Sequence, residues 1–250
     1  MKNSIILRVG YKNFSLTRLK HYLYKKYLRW LVCRQHTNNV YDMVIGTALL
    51  YSATFKYLSG KDYEYIVEIA SGGFTVPGLA LKAMLLDNKI RYYAVEKDDV
   101  ALKCLLQFTK SIRLDIKTNN ISFNISDLQL IPDKSIICFE HSLEDLLDDY
   151  LGGLKETAGN EHGLAIANNF ISMLLDEIIV CVSRSKICTI IHHFIKPEYN
   201  GNSNIADLDR LVISILKQFV ITHAQEVRVL SFDCNYKDEL FLCIGGRIWD

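Results

Sequence analysis

Glu68, the run Ser71-Gly72-Gly73 and Glu96 are the residues whose types and order could do chemistry together. Glu68 lies inside an apolar run, Tyr65 to Ile69, where a carboxylate is costly unless it is paired. The run breaks into Ser71-Gly72-Gly73, and glycines let a backbone approach a ligand closely. A second apolar run, Tyr92 to Val95, ends on Glu96, an acid able to accept hydrogen bonds from two ribose hydroxyls. Strand, glycine turn, helix and acid-tipped strand, in that order, read as a nucleotide-binding unit. Each part alone has a plainer reading, since Gly-Gly occurs in ordinary turns and an acid at a strand end is often only solvated.

Three further clusters carry polar groups at the ends of apolar runs. Asn124-Ile-Ser126-Asp127 offers either a ligand-binding acid or an Asx-type turn. Phe139-Glu140-His141-Ser142 offers His141 as a general base, with Glu140 beside it. The plainer reading is a helix start, with Ser142 as cap and Glu144 and Asp145 complementing the helix dipole. His192-His193 ends another run, and adjacent strand residues face opposite ways, so at most one faces a site. With Glu140, His141 and Glu144, one of them could ligate a divalent metal, but the spacing fits no metal signature and none is expected.

These residues need elements to position them. Strands are expected near 64–70, 91–96, 119–125, 135–140, 186–193, 225–233 and 238–246. Helices are expected near 75–87, 98–110, 143–151, 161–182 and 204–219, the first capped by Thr75 with Pro77 in its opening turn. Helical crossovers between the first five strands imply a mostly parallel sheet. The short polar Asn235-Tyr-Lys-Asp238 closes a final antiparallel hairpin. The glycine-rich stretch 152–168 reads as a loop that either shapes a pocket or merely joins helices. The carboxyl ends of such strands form the ligand edge, which would bring Ser71–Phe74, Glu96, Ser126–Asp127, Glu140–His141 and His192–His193 to one rim.

Composition sets the frame. The chain has 250 residues, half of them hydrophobic and 23% charged, enough for a sizeable core. No apolar run reaches the ~18 residues of a membrane span, and the N-terminal segment lacks the pattern of a secretory signal. Seven cysteines without a CxxC read as reduced core residues of a cytoplasmic protein. Residues 1–60 hold ten Lys/Arg and one acid, +9, against 19 basic and 27 acidic residues in the remainder, −8. An amphipathic basic helix over 15–34 and a second helix over 40–58 make residues 1–61 a helical cap on a domain spanning 62–250. The cap reads as a lid over the acidic body, with a nucleic-acid or anionic-membrane contact as the alternative.

The chain resembles the class I S-adenosylmethionine-dependent methyltransferases over roughly residues 62–246. The resemblance implies a three-layer Rossmann-like α/β fold with a seven-stranded sheet, mostly parallel, and a terminal antiparallel hairpin. Glu68-Ile-Ala70-Ser71-Gly72-Gly73-Phe74 stands where the family has an acid and spaced glycines. It implies Glu68 near the methionine amino group of the donor and the Ala70–Gly73 backbone around its amino acid portion. It further implies Glu96 on the ribose hydroxyls, and Ser126 and Asp127 at the third motif with Asp127 accepting from the adenine amino group. Glu140 and His141 would lie beside the donor methyl and the acceptor. Ala70 and Phe74 depart from the family's glycines. The implied cofactor is S-adenosylmethionine, and the implied reaction is O- or N-methylation of a small molecule. The alternatives are a non-catalytic partner subunit on the same scaffold and an RNA methyltransferase that uses the basic helix.

Overall fold

The computed structural model describes residues 63–83, 90–140, 142–151, 161–182, 186–195, 203–233 and 237–245, together with most of 47–55. The chain divides into two compact units, one drawn from Ile5–Ser122 and the other mainly from Phe123–Asp250.

The first unit holds β1 (Tyr65–Ile69), α1 (Val76–Ala83), β2 (Arg91–Val95), α2 (Asp99–Ser111) and β3 (Ile116–Asn119). The strands are all parallel, in the order β3-β2-β1. Ile66, Val67, Glu68 and Ile69 in succession are buried, the continuous burial of a strand covered on both faces. β3 is short and alternates half-buried with exposed residues, as suits an edge. Asp98 starts α2 by accepting from the N–H groups of Val100 (2.6 Å) and Ala101 (3.0 Å). Leu105, Phe108 and Thr109 then form its buried stripe at helical spacing.

The third strand corrects the sequence reading, which put it at 119–125. Register pairs Tyr92 with Ile116 and Val95 with Asn119, so β3 ends level with β2. Asn119 and Asn120 favour turns over strands, and the Asn120 side chain turns away to donate to Asp99. Residues 125–130 form a 3₁₀ helix instead.

The second unit contains that 3₁₀ helix, β4 (Ser135–Glu140), α3 (Leu143–Leu151), α4 (Glu161–Val182), β5 (Ile187–Ile195), α5 (Ser203–Thr222), β6 (Val227–Asp233) and β7 (Lys237–Ile244). Its strand order is β4-β5-β7-β6, with β4 parallel to β5 and β7 antiparallel to both its neighbours. The β6–β7 pair is the terminal hairpin that the resemblance implies. The helix expected over 161–182 is observed as α4, so residues 161–168 are helical and do not belong to the loop read over 152–168.

By length and composition α4 is the one helix among the described residues long and apolar enough to cross a membrane. Ala167, Phe170, Ile171, Leu174 and Ile178 recur at three- and four-residue spacing and are buried, while α3 and α5 pack against it. Asp176 and Glu177 interrupt the apolar run, and Glu177 accepts from Gln129 at 2.9 Å. That is the packing of a core helix. Burial also pushes the Cys188 thiol in β5 well above its ordinary pKa, which keeps it unreactive.

Of the expected cap, residues 15–34 lie outside the described residues. The described part of 47–55 is helical, with Ala48, Tyr51 and Phe55 buried.

Candidate functional site

The loop between β1 and α1 is shaped by two residues in left-handed conformation, Ala70 (φ 50°) and Gly72 (φ 63°). The methyl of Ala70 is tolerable without strain only at negative φ, so this departure from glycine is a strained one, costing about 1–2 kcal/mol. At Gly72 the freedom is used as glycine allows, and the space that a side chain would enter is open. Phe74 turns its ring to Phe108 of α2, with centroids 4.5 Å apart.

Glu96 closes the loop from β2. Its Oε2 accepts the Gly72 N–H at 2.7 Å, and its Oε1 accepts the Asp98 N–H at 2.9 Å. Around this contact the ladders continue past the strands, from Ser71 N–H to the Val95 carbonyl and from Glu96 N–H to that of Asn119. A carboxylate has about four acceptor positions, so each oxygen keeps one after these bonds. A pair of vicinal hydroxyls is a chemical match for what remains. Glu96 is 8% exposed, so a donor reaching it meets little competing water.

Ser71, also 8% exposed, adds a buried hydroxyl whose Oγ has no hydrogen-bond partner among the described residues. A buried hydroxyl without a partner is costly, and a ligand with polar groups would satisfy it. The residues therefore fit an adenosine-bearing ligand on two counts, the remaining acceptors of Glu96 and the orphaned Ser71 Oγ beside an open Gly72.

Glu68 is 1% exposed, and its Oε2 accepts from the Tyr92 hydroxyl at 2.8 Å. Register places Ile66 opposite Tyr92 and Glu68 opposite Ala94, so the tyrosine and the acid share a face. The same hydroxyl meets Thr75 Oγ1 at 2.7 Å, and Thr75 caps α1 by accepting from Gly78 N–H at 3.0 Å. Gly78 is glycine for contact reasons, because a Cβ there would sit 2.6 Å from a Leu114 methyl and 2.8 Å from that of Thr75. Sequence reasoning found the Thr75 cap and missed Tyr92. The signal would have been a tyrosine on the same face as an acid in the next strand, which requires the register.

The other expected residues belong to the second unit. Asp127 is half-buried and makes a reciprocal turn with Asn124: its Oδ2 accepts the Asn124 N–H at 2.8 Å, and its own N–H reaches the Asn124 carbonyl at 2.9 Å. Ser126 is exposed on the same 3₁₀ helix. Glu140 ends β4 half-buried, opposite Ile191. Ser142 starts α3 through its carbonyl, which takes the Leu146 N–H, while its Oγ has no partner among the described residues. His192 is 1% exposed within β5. His141 lies outside the described residues, as do the side chains of Glu144 and His193. No three His, Cys, Asp or Glu side chains among the described residues come close enough to hold a metal.

Parallel strands joined by helical crossovers, with the glycine loop and Glu96 at their carboxyl ends, give the first unit a Rossmann-like α/β arrangement. No protein-family model and no curated protein matches the chain. Among solved structures it is similar to a human methyltransferase 10 domain containing protein, at 15% identity and TM-score 0.49, over 82% of this chain and 83% of that one. It is also similar to a precorrin-6y C5,15-methyltransferase from Geobacter metallireducens, at 12% identity and TM-score 0.47, over 78% and 87%. A third is the N-terminal domain of EvdMO1 with S-adenosylhomocysteine bound, at 10% identity and TM-score 0.44, over 80% and 81%.

Proposed function

We propose that this protein transfers a methyl group from S-adenosylmethionine to a small-molecule acceptor. The observation that carries the reading is the bond from Gly72 N–H to Glu96, which joins the glycine loop and the acid at the strand tip across 24 residues of chain. When bound, S-adenosylmethionine supplies an electrophilic methyl on a sulfonium. Glu96 accepts the ribose hydroxyls, and Ser71 with the Ala70–Gly73 backbone holds the amino acid portion. Glu68 lies near the amino group of that portion. The resemblance assigns Asp127, in the second unit, to the adenine amino group. Glu140 and His141 serve the acceptor, His141 by taking the proton that an acceptor hydroxyl or ammonium must lose. Alignment supplies most of the acceleration in such a displacement, so a base matters only for acceptors that start protonated. The net charge of −8 over residues 61–250 supports a small acceptor over nucleic acid.

Titration calorimetry with S-adenosylmethionine and S-adenosylhomocysteine tests the reading. Micromolar binding of either is expected, and a folded sample that binds neither defeats it. The strained alanine at position 70 favours one alternative, a non-catalytic subunit that keeps the scaffold. Gly72→Asp and Glu96→Ala abolish function in an enzyme and leave such a subunit working.

A further inference from the structure

We propose that Tyr92 is a positioning residue for the donor-binding loop, acting through Glu68 and Thr75; this rests on the methyl-donor reading above. A tyrosine hydroxyl has one proton. Tyr92 gives it to Glu68 Oε2 at 2.8 Å, so the 2.7 Å contact with Thr75 must run from the threonine to the tyrosine. Thr75 Oγ1 still accepts from Gly78 N–H at 3.0 Å. The result is a one-way chain of donors, from the Gly78 amide through Thr75 and Tyr92 to the Glu68 carboxylate. Its three side chains are 0%, 2% and 1% exposed, so water does not compete for any of its bonds.

The chain's place in the fold gives it a task. Glu68 lies two residues before Ala70, and Thr75 follows Phe74 directly. One hydroxyl therefore ties down both ends of the Ala70–Phe74 loop, while Glu96 holds its middle at Gly72. A non-glycine residue persists at φ 50° only where its surroundings over-determine it, and the two clamps are that surrounding. The Glu96 clamp serves the ribose side. The Tyr92 clamp serves the part of the loop that wraps the amino acid end.

The two clamps are separable by ligand. 5′-Methylthioadenosine has the adenosine of the donor and lacks its amino acid portion. Tyr92→Phe keeps the ring and removes the hydroxyl. It is expected to weaken S-adenosylhomocysteine about tenfold or more and to change methylthioadenosine affinity by less than about threefold. Thr75→Val should reproduce that split, Thr75→Ser should restore wild-type affinity, and the Tyr92→Phe/Thr75→Val double variant should add little to either alone. Equal losses for both ligands, or none, in variants whose wild type binds both would overturn the proposal. So would failure of both Tyr92→Phe and Thr75→Val to fold, which would make the chain a general core bond. A wild type that binds neither ligand defeats the donor reading itself.

Discussion

At the tip of β2, Glu96 takes one N–H from its own strand exit and another from a loop 24 residues earlier. After β3, Asp127 takes one N–H from Asn124, three residues away in its own turn. The sequence reading gave both acids a ligand role, yet the first is a long-range closure and the second a local cap. A long-range bond exists only if the strands are in register, so it reports tertiary structure. A local one forms wherever the turn does, and by itself says little about a site.

Glu96→Ala should have the largest effect. It removes the ribose acceptor and leaves two amides without their partner, so S-adenosylhomocysteine affinity should fall more than about 100-fold, at 1.5–3 kcal/mol for each bond to a charged group. Calorimetry on the folded variant reads this directly, and a loss under about tenfold would remove Glu96 from the site. Gly78→Ala comes next. Its new methyl overlaps Leu114 and Thr75, and chemical denaturation should show a loss of about 1–3 kcal/mol. Asp127→Ala should remove about 0.5–2 kcal/mol of stability, the worth of a cap, and weaken the donor less than Glu96→Ala does. The reverse order of the two affinities would invert the comparison.

Two smaller effects sharpen it. Ala70→Gly relieves left-handed strain of about 1–2 kcal/mol and forfeits about 0.5–1 kcal/mol of backbone entropy. The net gain should be under about 1.5 kcal/mol in the same denaturation experiment, and a clear destabilisation would contradict the observed φ. Asp98 accepts from the Ala101 and Val100 amides, which holds its carboxyl below the usual carboxylate range. A depressed folded pKa means the contribution is present above the unfolded value of about 3.9 and is lost as pH falls through the folded one. Asp98→Asn should therefore flatten a slight decline in melting temperature below about pH 4, and an unchanged acid profile would show that the cap carries no such linkage.

Much of the architecture was legible because apolar runs, caps and turns are local. Thr75 and the run Tyr65–Ile69 each announced an element within a residue or two of its observed bounds. The third strand was misplaced because Ile121, Phe123 and Ile125 look as strand-like as Ile116 and Thr118, and only pairing with β2 decides between them. Glu68 was read as an acid in need of a partner, but its partner was illegible, since Tyr92 meets it through register. The left-handed turn at Ala70 was hidden for a related reason, because nothing in an alanine announces positive φ.

The bond between Gly72 and Glu96 is made by the chain's own atoms, so the loop has its shape before any ligand arrives. Ordering entropy that a floppy loop would spend at the moment of capture is spent during folding instead. Association should then be a single fast phase with no slow closing step, and the Gly72 amide should exchange slowly with solvent deuterium from the start.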